Sequence, residues 1–371
     1  MRIALVGTRG VPARYGGFET AAEEVGARLA ARGHVVRVYC RNPGQTTCRY
    51  RGMHLVNLPA VRLKVLETLS HTALSVAHVC LHGADVAIVF NAANALFLPL
   101  LAARRVPVAV HVDGLEWKRG KWGPTGRRYY LASERLAARW ADRLIVDAQA
   151  IGDYYQRRYG RSGSYLPYGA PITCADAQER LAQLALSPRT YHLVVARLEP
   201  ENHVDVIVAA HRRSSALLPL VVVGGARYGE RYVRRLNEIA AQDERIRLVG
   251  GIWDQQLLDE LYVNAATYIH GHSVGGTNPS LLRAMGAATP VLALDVAFNR
   301  EVLGDTGAYF QDAATLAALI EKAEVHPARA AARGRSGQDR ARSLYDWDAV
   351  AAGYERLCLD LAQRPSRRTP P

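Results

Sequence analysis

Short β-rich runs alternate with amphipathic helical patterns along this chain, and the alternation occurs twice. In the first half the predicted strands are Arg2–Val6, Val35–Cys40, Met53–Asn57, Asp85–Phe90, Pro107–His111 and Arg143–Asp147. In the second half they are Tyr191–Ala196, Pro219–Val223, Ile246–Val249, Ala266–Ile269 and Pro290–Leu294. Strands that alternate with helices predict parallel sheets. We therefore predict an α/β chain with two Rossmann-like, parallel-sheet domains facing each other across a cleft, since ligands bind beyond the carboxyl ends of such strands.

The same pattern predicts the domain boundaries. The first domain is expected over residues 1–170 and the second over 191–345, with a Pro- and Gly-containing linker at 171–190. An amphipathic helix at 346–364 is expected to pack back on the first domain. The polar tail, 365–371, is expected to be disordered.

Composition narrows the class of protein. The net charge of +13 indicates an anionic partner, but no recognised nucleic-acid-binding motif accompanies it, so no nucleic acid partner is predicted. No run approaches the ~18 apolar residues of a membrane-spanning helix, and the first residues resemble a β-strand, which predicts a cytoplasmic protein. Five scattered cysteines without a Cys-x-x-Cys pair predict reduced side chains and no metal site.

A predicted anion cradle follows the strand that ends at Ile269. A Gly-rich loop over 271–276 precedes Asn278-Pro279, which is typical of a helix N-cap followed by the first helical residue. Unpaired N–H groups at a helix start bind anions, and glycine lets the anion approach the backbone. The predicted ligand-binding residues of this cradle are Gly275, Gly276, Thr277, Asn278 and Ser280.

A second Gly-rich loop follows the first strand and lacks the dinucleotide fingerprint. Its glycines are spaced Gly7-x-x-Gly10, and the next strand ends without an acidic residue, which argues against a nicotinamide oxidoreductase. Gly16-Gly17 instead predicts a backbone anion nest ahead of a helix that carries Glu19. The cations expected to reach an anion there are Arg9 and Arg14, although a turn with solvated charges remains an alternative.

Four segments together resemble the GT-B glycosyltransferases of family 4, and more narrowly the bacterial branch that contains rhamnosyltransferases of cell-wall and capsular polysaccharide assembly. They are Gly7–Thr20, Val112–Arg119, Ala196–Asn202 and Gly271–Leu282. The resemblance extends from residue 1 to about residue 360. It implies a nucleotide-diphosphate sugar bound mainly by the C-terminal domain, a lipid-linked saccharide acceptor bound by the N-terminal domain, retention of configuration, and no cofactor or catalytic metal.

The resemblance also implies roles for individual residues. Arg197 is expected to contact the donor diphosphate, and an ordinary surface residue is the alternative. Asn202 stands where the broad family has a lysine. Gly250, Gly251 and Ile252 match the loop that frames the nucleobase. His111 and Asp113 are expected to contact the transferred sugar or the acceptor hydroxyl, and a histidine that is merely hydrogen-bonded at a strand end remains the alternative. The residues expected on the acceptor side are Arg9, Arg14, Glu19 and Glu116, and the donor nest is Gly16-Gly17.

One departure from the family concerns its two glutamates, eight positions apart, of which the second binds the donor ribose. Here these positions are Gly275 and Arg283. Arginine has no acceptor atom, so it cannot replace a carboxylate that accepts two hydroxyl groups. We expect ribose recognition to be lost; a second cation beside the diphosphate is the alternative. The same departure leaves open a catalytically weak or inactive nucleotide-sugar or glycan-binding protein.

Residues 117–140 mix cations with Trp and Tyr, which settle at bilayer interfaces. The residues concerned are Trp117, Lys118, Arg119, Lys121, Trp122, Arg127, Arg128, Tyr129, Tyr130, Arg135, Arg139 and Trp140. They predict contact with an anionic membrane surface, and so a peripheral location at the inner face of the plasma membrane. A solvated basic helix is the alternative.

Overall fold

The structure is a computed structural model that describes residues 1–13, 16–41, 47–61, 66–112, 114–120, 122–173, 178–225 and 230–363. It divides into two compact units. The first consists of Met1–Tyr168 and the segment that begins at Trp347, and the second is Gly169–Asp346. The tail predicted at 365–371 lies outside the described residues.

The first unit contains a parallel sheet with helices between its strands. Its strands are β1 (Arg2–Val6), β2 (Val35–Cys40), β3 (Arg49–Tyr50), β4 (Met53–Asn57), β5 (Val86–Phe90), β6 (Val108–His111), β7 (Arg143–Val146) and β8 (Gly163–Tyr165). Its first helices are α1 (Gly17–Ala31), α2 (Leu66–His82), α3 (Leu98–Ala103), α4 (Pro124–Trp140) and α5 (Gln149–Tyr159). Among the described residues the strand order is β3-β4-β2-β1-β5-β6-β7-β8, and β3 alone is antiparallel to its neighbour.

The second unit contains a sheet of the same kind. Its strands are β9 (His192–Val195), β10 (Leu220–Val223), β11 (Ile246–Gly250), β12 (Thr267–His270), β13 (Val291–Leu294) and β14 (Ala308–Phe310). Its helices are α6 (Val204–Arg213), α7 (Glu230–Ala240), α8 (Gln255–Val263), α9 (Pro279–Gly286), α10 (Ala297–Leu303), α11 (Ala313–Val325) and α12 (Pro327–Leu344). The order β11-β10-β9-β12-β13-β14 is the doubly wound order, which reverses direction between β9 and β12. The α/β class with two parallel-sheet domains is therefore confirmed.

Buried apolar runs form the predicted strands. All five residues of β5 are buried, as are all four of β6, β10, β12 and β13, as expected for strands covered on both faces. No helix formed by the described residues is long and apolar enough to cross a membrane.

The helix predicted at 346–364 is α13 (Trp347–Gln363), and it packs against α1 in the first unit. Arg28 Nε donates to Asp348 at 2.7 Å, and Arg32 Nη1 donates to Glu355 at 2.9 Å. The buried face of α13 carries apolar side chains at helical spacing. The first unit is thus assembled from two separate parts of the sequence.

The segment predicted as a linker, 171–190, belongs to the second unit instead. Thr173 N donates to the carbonyl of Gly286 at 3.2 Å, and Arg180 N donates to Glu260 at 2.8 Å. A short 3-10 helix spans Glu179–Leu184. These contacts attach the segment to α9 and α8, so it is not a free connection.

Candidate functional site

The loops after β9 and β12 are joined at the point where the order of the second sheet reverses. Ser273 donates to the carbonyl of Glu201 through its backbone N–H at 3.0 Å and its hydroxyl at 3.1 Å. His203 Nδ1 lies 2.9 Å from the carbonyl oxygen of Gly271. A Cβ atom at Gly271 would collide with the carbonyl of Asn202, so the close approach of the two loops requires glycine there.

The predicted helix start is present at α9. Asn278 is the N-cap, and its Oδ1 accepts from the backbone N–H of Ser280 at 3.0 Å and from the Ser280 hydroxyl at 2.8 Å. Pro279 is the first helical residue. Gly275 has a φ of +143°, a conformation that side chains rarely adopt. A glycine loop therefore leads into a capped helix, and the dipole of that helix favours negative charge near its start.

A buried histidine that the sequence analysis missed lies beneath this helix start. His270 ends β12, and its Nδ1 lies 3.2 Å from the hydroxyl of Tyr268, which donates to Ser280 Oγ at 2.9 Å. Burial lowers the pKa of His270 to about 3, so its ring is neutral. Its Nε2 has no hydrogen-bond partner among the described residues. The available signal was a His-Gly-His sequence at a strand end.

Arg197 and Asn202 both lie in the loop after β9 but differ in what they can offer a ligand. The side chain of Arg197 is 36% exposed, and its Nη2 is 3.5 Å from Glu199 Oε2. Asn202 is buried and donates through Nδ2 to the carbonyl of Arg197 at 2.8 Å. The Asn202 amide thus shapes the loop, and Arg197 presents the cation.

The predicted nucleobase loop follows β11 at the same edge of the sheet. The carbonyl of Gly250 accepts from Gly224 N at 2.8 Å, which joins this loop to the end of β10. After Gly251 and Ile252 the chain enters α8, whose N-cap is Asp254. The loop therefore lies at the carboxyl edge of the sheet.

Arg283 lies on α9, and its guanidinium is engaged by side chains of the neighbouring helix α8. Its Nε donates to Asp259 Oδ1 at 2.8 Å, and its Nη1 donates to Gln255 Oε1 at 2.9 Å. Its guanidinium also lies 5.8 Å from the ring centroid of Tyr262. All three partners belong to α8. Arg283 therefore ties α9 to α8, whereas the alternative of a second cation beside the diphosphate requires a guanidinium directed at the ligand.

The loop after β1 is held by the side chains of α1. Glu19 accepts from the backbone N–H of Arg9 at 2.9 Å, and Glu23 accepts from that of Ala13 at 2.5 Å. Gly16 is the N-cap of α1, and Gly17 is its first residue. Glu19, predicted to bind acceptor, is thus engaged in shaping this loop. Arg14 lies outside the described residues.

His111 ends β6 and is enclosed by aromatic rings of the first unit. The ring centroids of Phe18, Phe90 and Tyr168 lie 5.2, 5.5 and 5.9 Å from that of His111. The hydroxyl of Tyr354, from α13, lies 3.0 Å from Nδ1. Burial lowers the pKa of His111 to about 3. The structure thus places His111 beside Phe18, the residue that follows Gly16-Gly17.

Asp113 and Glu116 were also predicted to belong to the site of the N-terminal domain. Asp113 lies outside the described residues. Glu116 is buried, pairs with Arg119 Nε at 2.6 Å and accepts from Trp122 Nε1 at 3.1 Å. The acceptor role predicted for Glu116 is therefore not supported by its surroundings, because its carboxylate is held inside the segment.

The segment 117–140 is largely α4, and Lys121 lies outside the described residues. Glu134 and Ala137 face the interior, so one side of the helix is buried. The exposed cations of α4 are Arg127, Arg128, Arg135 and Arg139. The last three follow a helical spacing of seven and four residues, so they share one face of α4.

Two family models match the chain. Residues 16–169 match the Glycosyl transferase 4-like domain, and residues 189–324 match Glycosyl transferases group 1. The first match covers the first unit except β1 and α13, and the second covers the second unit from β9 to α11.

Curated relatives match over shorter stretches. The GtfA subunit of a UDP-N-acetylglucosamine--peptide N-acetylglucosaminyltransferase from Streptococcus gordonii is 30% identical over 123 residues, which is 32% of this chain and 23% of the relative. O-antigen chain mannosyltransferase B from Escherichia coli is 25% identical over 171 residues, which is 45% of this chain and 41% of the relative. The matched region thus spans less than half the length of either relative.

Solved structures match over nearly the whole chain. Sucrose-phosphate synthase from Thermosynechococcus elongatus has a TM-score of 0.82 at 21% identity, covering 97% of this chain and 98% of that one. Anabaena HepE in complex with UDP-glucose has a TM-score of 0.77 at 17% identity, covering 97% and 100%. At these identities the likeness shows the fold. The two matched domains and the shared architecture place this chain among the GT-B glycosyltransferases.

Proposed function

We propose that this protein transfers a hexose from a nucleotide-diphosphate sugar to a lipid-linked or glycan acceptor during synthesis of a cell-surface polysaccharide. In its narrower form, which rests on the sequence resemblance, the hexose is rhamnose. The observation that carries the proposal is the cradle at the switch point of the second sheet, where the loops after β9 and β12 are hydrogen-bonded together below the capped start of α9.

The cradle suits a diphosphate for electrostatic reasons. The dipole of α9 favours negative charge near its first turn, and Gly275-Gly276 permits close approach of an anion to the backbone. Arg197 follows the adjacent strand and supplies a guanidinium that can donate to two phosphate oxygens. These groups would stabilise the diphosphate as it leaves the sugar, so the proposed catalysis rests on positioning and charge stabilisation. Retention of configuration and independence from metal are parts of the proposal that the family resemblance supplies.

The known relatives support a nucleotide sugar as donor. Structures of HepE contain UDP, UDP with glucose, or UDP-glucose. The names of the curated relatives specify an N-acetylglucosaminyltransferase and an O-antigen mannosyltransferase. WaaG, with a TM-score of 0.73, is described as a glycosyltransferase of lipopolysaccharide biosynthesis. From these proteins we extend two features to this chain: a nucleotide-sugar donor and a surface-glycan acceptor.

We also propose that the protein works at the inner face of the plasma membrane. Arg128, Arg135 and Arg139 lie on one exposed face of α4, beside a segment rich in Trp and Tyr. Each cation near an anionic surface contributes about 1 kcal/mol to binding. A peripheral, cytoplasmic enzyme would meet a lipid-linked acceptor there.

Thermal unfolding with UDP-, GDP- and dTDP-sugars tests the proposal, because a ligand bound by the folded state alone raises Tm. We expect one nucleotide series to raise Tm, and the free diphosphate of that series to do the same. The matching nucleoside is the control and should raise Tm much less. If no series shifts Tm in the wild-type protein, the proposed donor class is wrong.

A non-catalytic nucleotide-sugar or glycan-binding protein of the same fold is the second candidate. Arg283 favours it, because the family's carboxylate is absent and the guanidinium is engaged with α8. Single-turnover assays with the donor that raises Tm separate the two candidates. Binding without transfer to any acceptor saccharide, and without donor hydrolysis, would support the binding protein.

A further inference from the structure

The hydroxyl of Tyr354 is the polar group that contacts the ring of His111 within the described part of the chain. It lies 3.0 Å from Nδ1, although the two residues are 243 positions apart. The remaining ring contacts are aromatic. Nε2 is buried and has no hydrogen-bond partner among the described residues. The contact therefore engages Nδ1 of His111, and Nε2 is left for a ligand.

Both groups are neutral, so the direction of the hydrogen bond depends on which of them is the better donor. Burial raises the pKa of Tyr354 far above its usual range, and the nearby carboxylate of Asp147 raises it further. Burial lowers the pKa of His111 to about 3. Between a neutral phenol and a neutral imidazole, the phenol is the better donor and the unprotonated ring nitrogen the better acceptor. The ring proton of His111 is then on Nε2.

We propose that Tyr354 is a positioning residue that holds His111 as its Nε2–H tautomer, so that Nε2 donates a hydrogen bond to an oxygen of the transferred sugar or of the acceptor. The proposal rests on the proposed function for the identity of that oxygen. It assigns α13 a part in the site, since the other enclosing rings come from elements that precede the second unit. A buried N–H without an acceptor is rare in proteins, which favours a ligand oxygen at this place.

The tautomer can be measured without any assay of activity. In the full chain labelled with ¹⁵N-histidine, the signals of His111 are assigned by their loss in His111→Gln. We expect a protonated Nε2 and an unprotonated Nδ1 throughout pH 5–9, and a mixture of tautomers in Tyr354→Phe. A protonated Nδ1 in the wild type would overturn the proposal, because Tyr354 would then accept from His111. An unchanged spectrum in Tyr354→Phe would overturn it as well.

Activity supplies the second readout, with a matched control in the same unit. The hydroxyl of Tyr39 lies 3.0 Å from Nδ1 of His78, so Tyr39→Phe removes the same kind of bond away from the site. We expect Tyr354→Phe to lower kcat/KM about tenfold, and Tyr39→Phe to change it less than about twofold. The rise in Tm caused by the nucleoside diphosphate should be the same in both variants. Equal losses of kcat/KM would reduce Tyr354 to a structural role.

A double substitution isolates the coupling. Glutamine at position 111 carries an amide N–H near the place of Nε2 but needs no tautomer control. In the His111→Gln background, Tyr354→Phe should therefore lower kcat/KM by less than about threefold. A full tenfold loss there would contradict the proposal. If no sugar is transferred by any variant, the proposed function fails while the tautomer measurement still decides the role of Tyr354.

Discussion

Replacing Arg283 by glutamate should destabilise the second unit. The guanidinium of Arg283 contacts Asp259 Oδ1 through Nη2 at 2.7 Å and through Nε at 2.8 Å, and it donates to Gln255 Oε1 at 2.9 Å. A glutamate there loses these bonds and faces the carboxylate of Asp259. The joint between α9 and α8 would then carry two like charges.

The expected loss follows from the burial of the pair. Side-chain exposures of 18% for Arg283 and 34% for Asp259 leave it partly screened. Its charge-assisted bonds should therefore contribute about 1.5–3 kcal/mol. Two carboxylates about 4 Å apart in a watery setting repel by about 1 kcal/mol. The sum of about 3 kcal/mol corresponds to a fall in Tm of about 6–12 °C for a unit of this size.

Thermal unfolding of the ligand-free chain measures this loss. Asp259→Asn combined with Arg283→Glu removes the repulsion and should recover about 2–4 °C. Arg283→Glu alone with a Tm within about 2 °C of the wild type would refute the reasoning, because the contacts with α8 would then contribute nothing.

Two variants test the relation between position 283 and the donor, namely Arg283→Gln and the combination of Asp259→Asn with Arg283→Glu. Arg283→Gln should leave the affinity for the nucleoside diphosphate within about twofold, because the wild-type guanidinium is engaged with α8. A tenfold loss would instead make Arg283 a phosphate ligand. In the double variant the new carboxylate is no longer opposed by Asp259. If position 283 meets the ribose, calorimetry should show about tenfold tighter donor binding.

Arg197→Ala should weaken binding of the nucleoside diphosphate about tenfold and spare the bare nucleoside; identical calorimetric titrations of both proteins would exclude Arg197 from the site. Burial alone would raise the pKa of Glu324, but hydrogen bonds from His192 and two backbone N–H groups lower it to about 2. The stabilising effect of Glu324 should therefore be complete above about pH 4.5 and disappear as the pH falls towards 2. Across that interval the free energy of unfolding of Glu324→Gln should depend less on pH than that of the wild type. Arg127→Ser with Arg128→Ser should reduce sedimentation with acidic vesicles, as should high salt for the wild type, and salt-insensitive binding would argue against an electrostatic membrane contact.

The sheets could be predicted because parallel strands buried on both faces are continuous apolar runs. The predicted strand Asp85–Phe90, for example, corresponds to β5 with one residue fewer. The short edge strands β3, β8 and β14 were missed, since two or three residues carry no measurable period. The linker was misjudged because its attachment depends on backbone hydrogen bonds to distant helices.

The start of α9 could be predicted because its signals are local. Glycine, N-cap and proline stand within a few residues, and each acts through the backbone. The surroundings of His111 and Arg283 depend on Tyr354 and Asp259, which the sequence places far away. Nor could the sequence show that Glu116 is buried against Arg119, since an acidic residue near a predicted site has the same pattern in either role.

The position of α13 has a consequence for biosynthesis. Its contacts belong to the first unit, yet the ribosome translates the whole of Gly169–Asp346 before α13 emerges. At about 5–20 residues per second, the nascent first sheet waits on the order of ten seconds or more for its missing helix. During that interval α1 exposes the surface that later meets Trp347, a surface available to chaperones. Premature termination within the second unit would thus leave both units incomplete, because the first unit would lack α13. A permuted gene that places α13 directly before β1 should shorten the interval before α13 can pack.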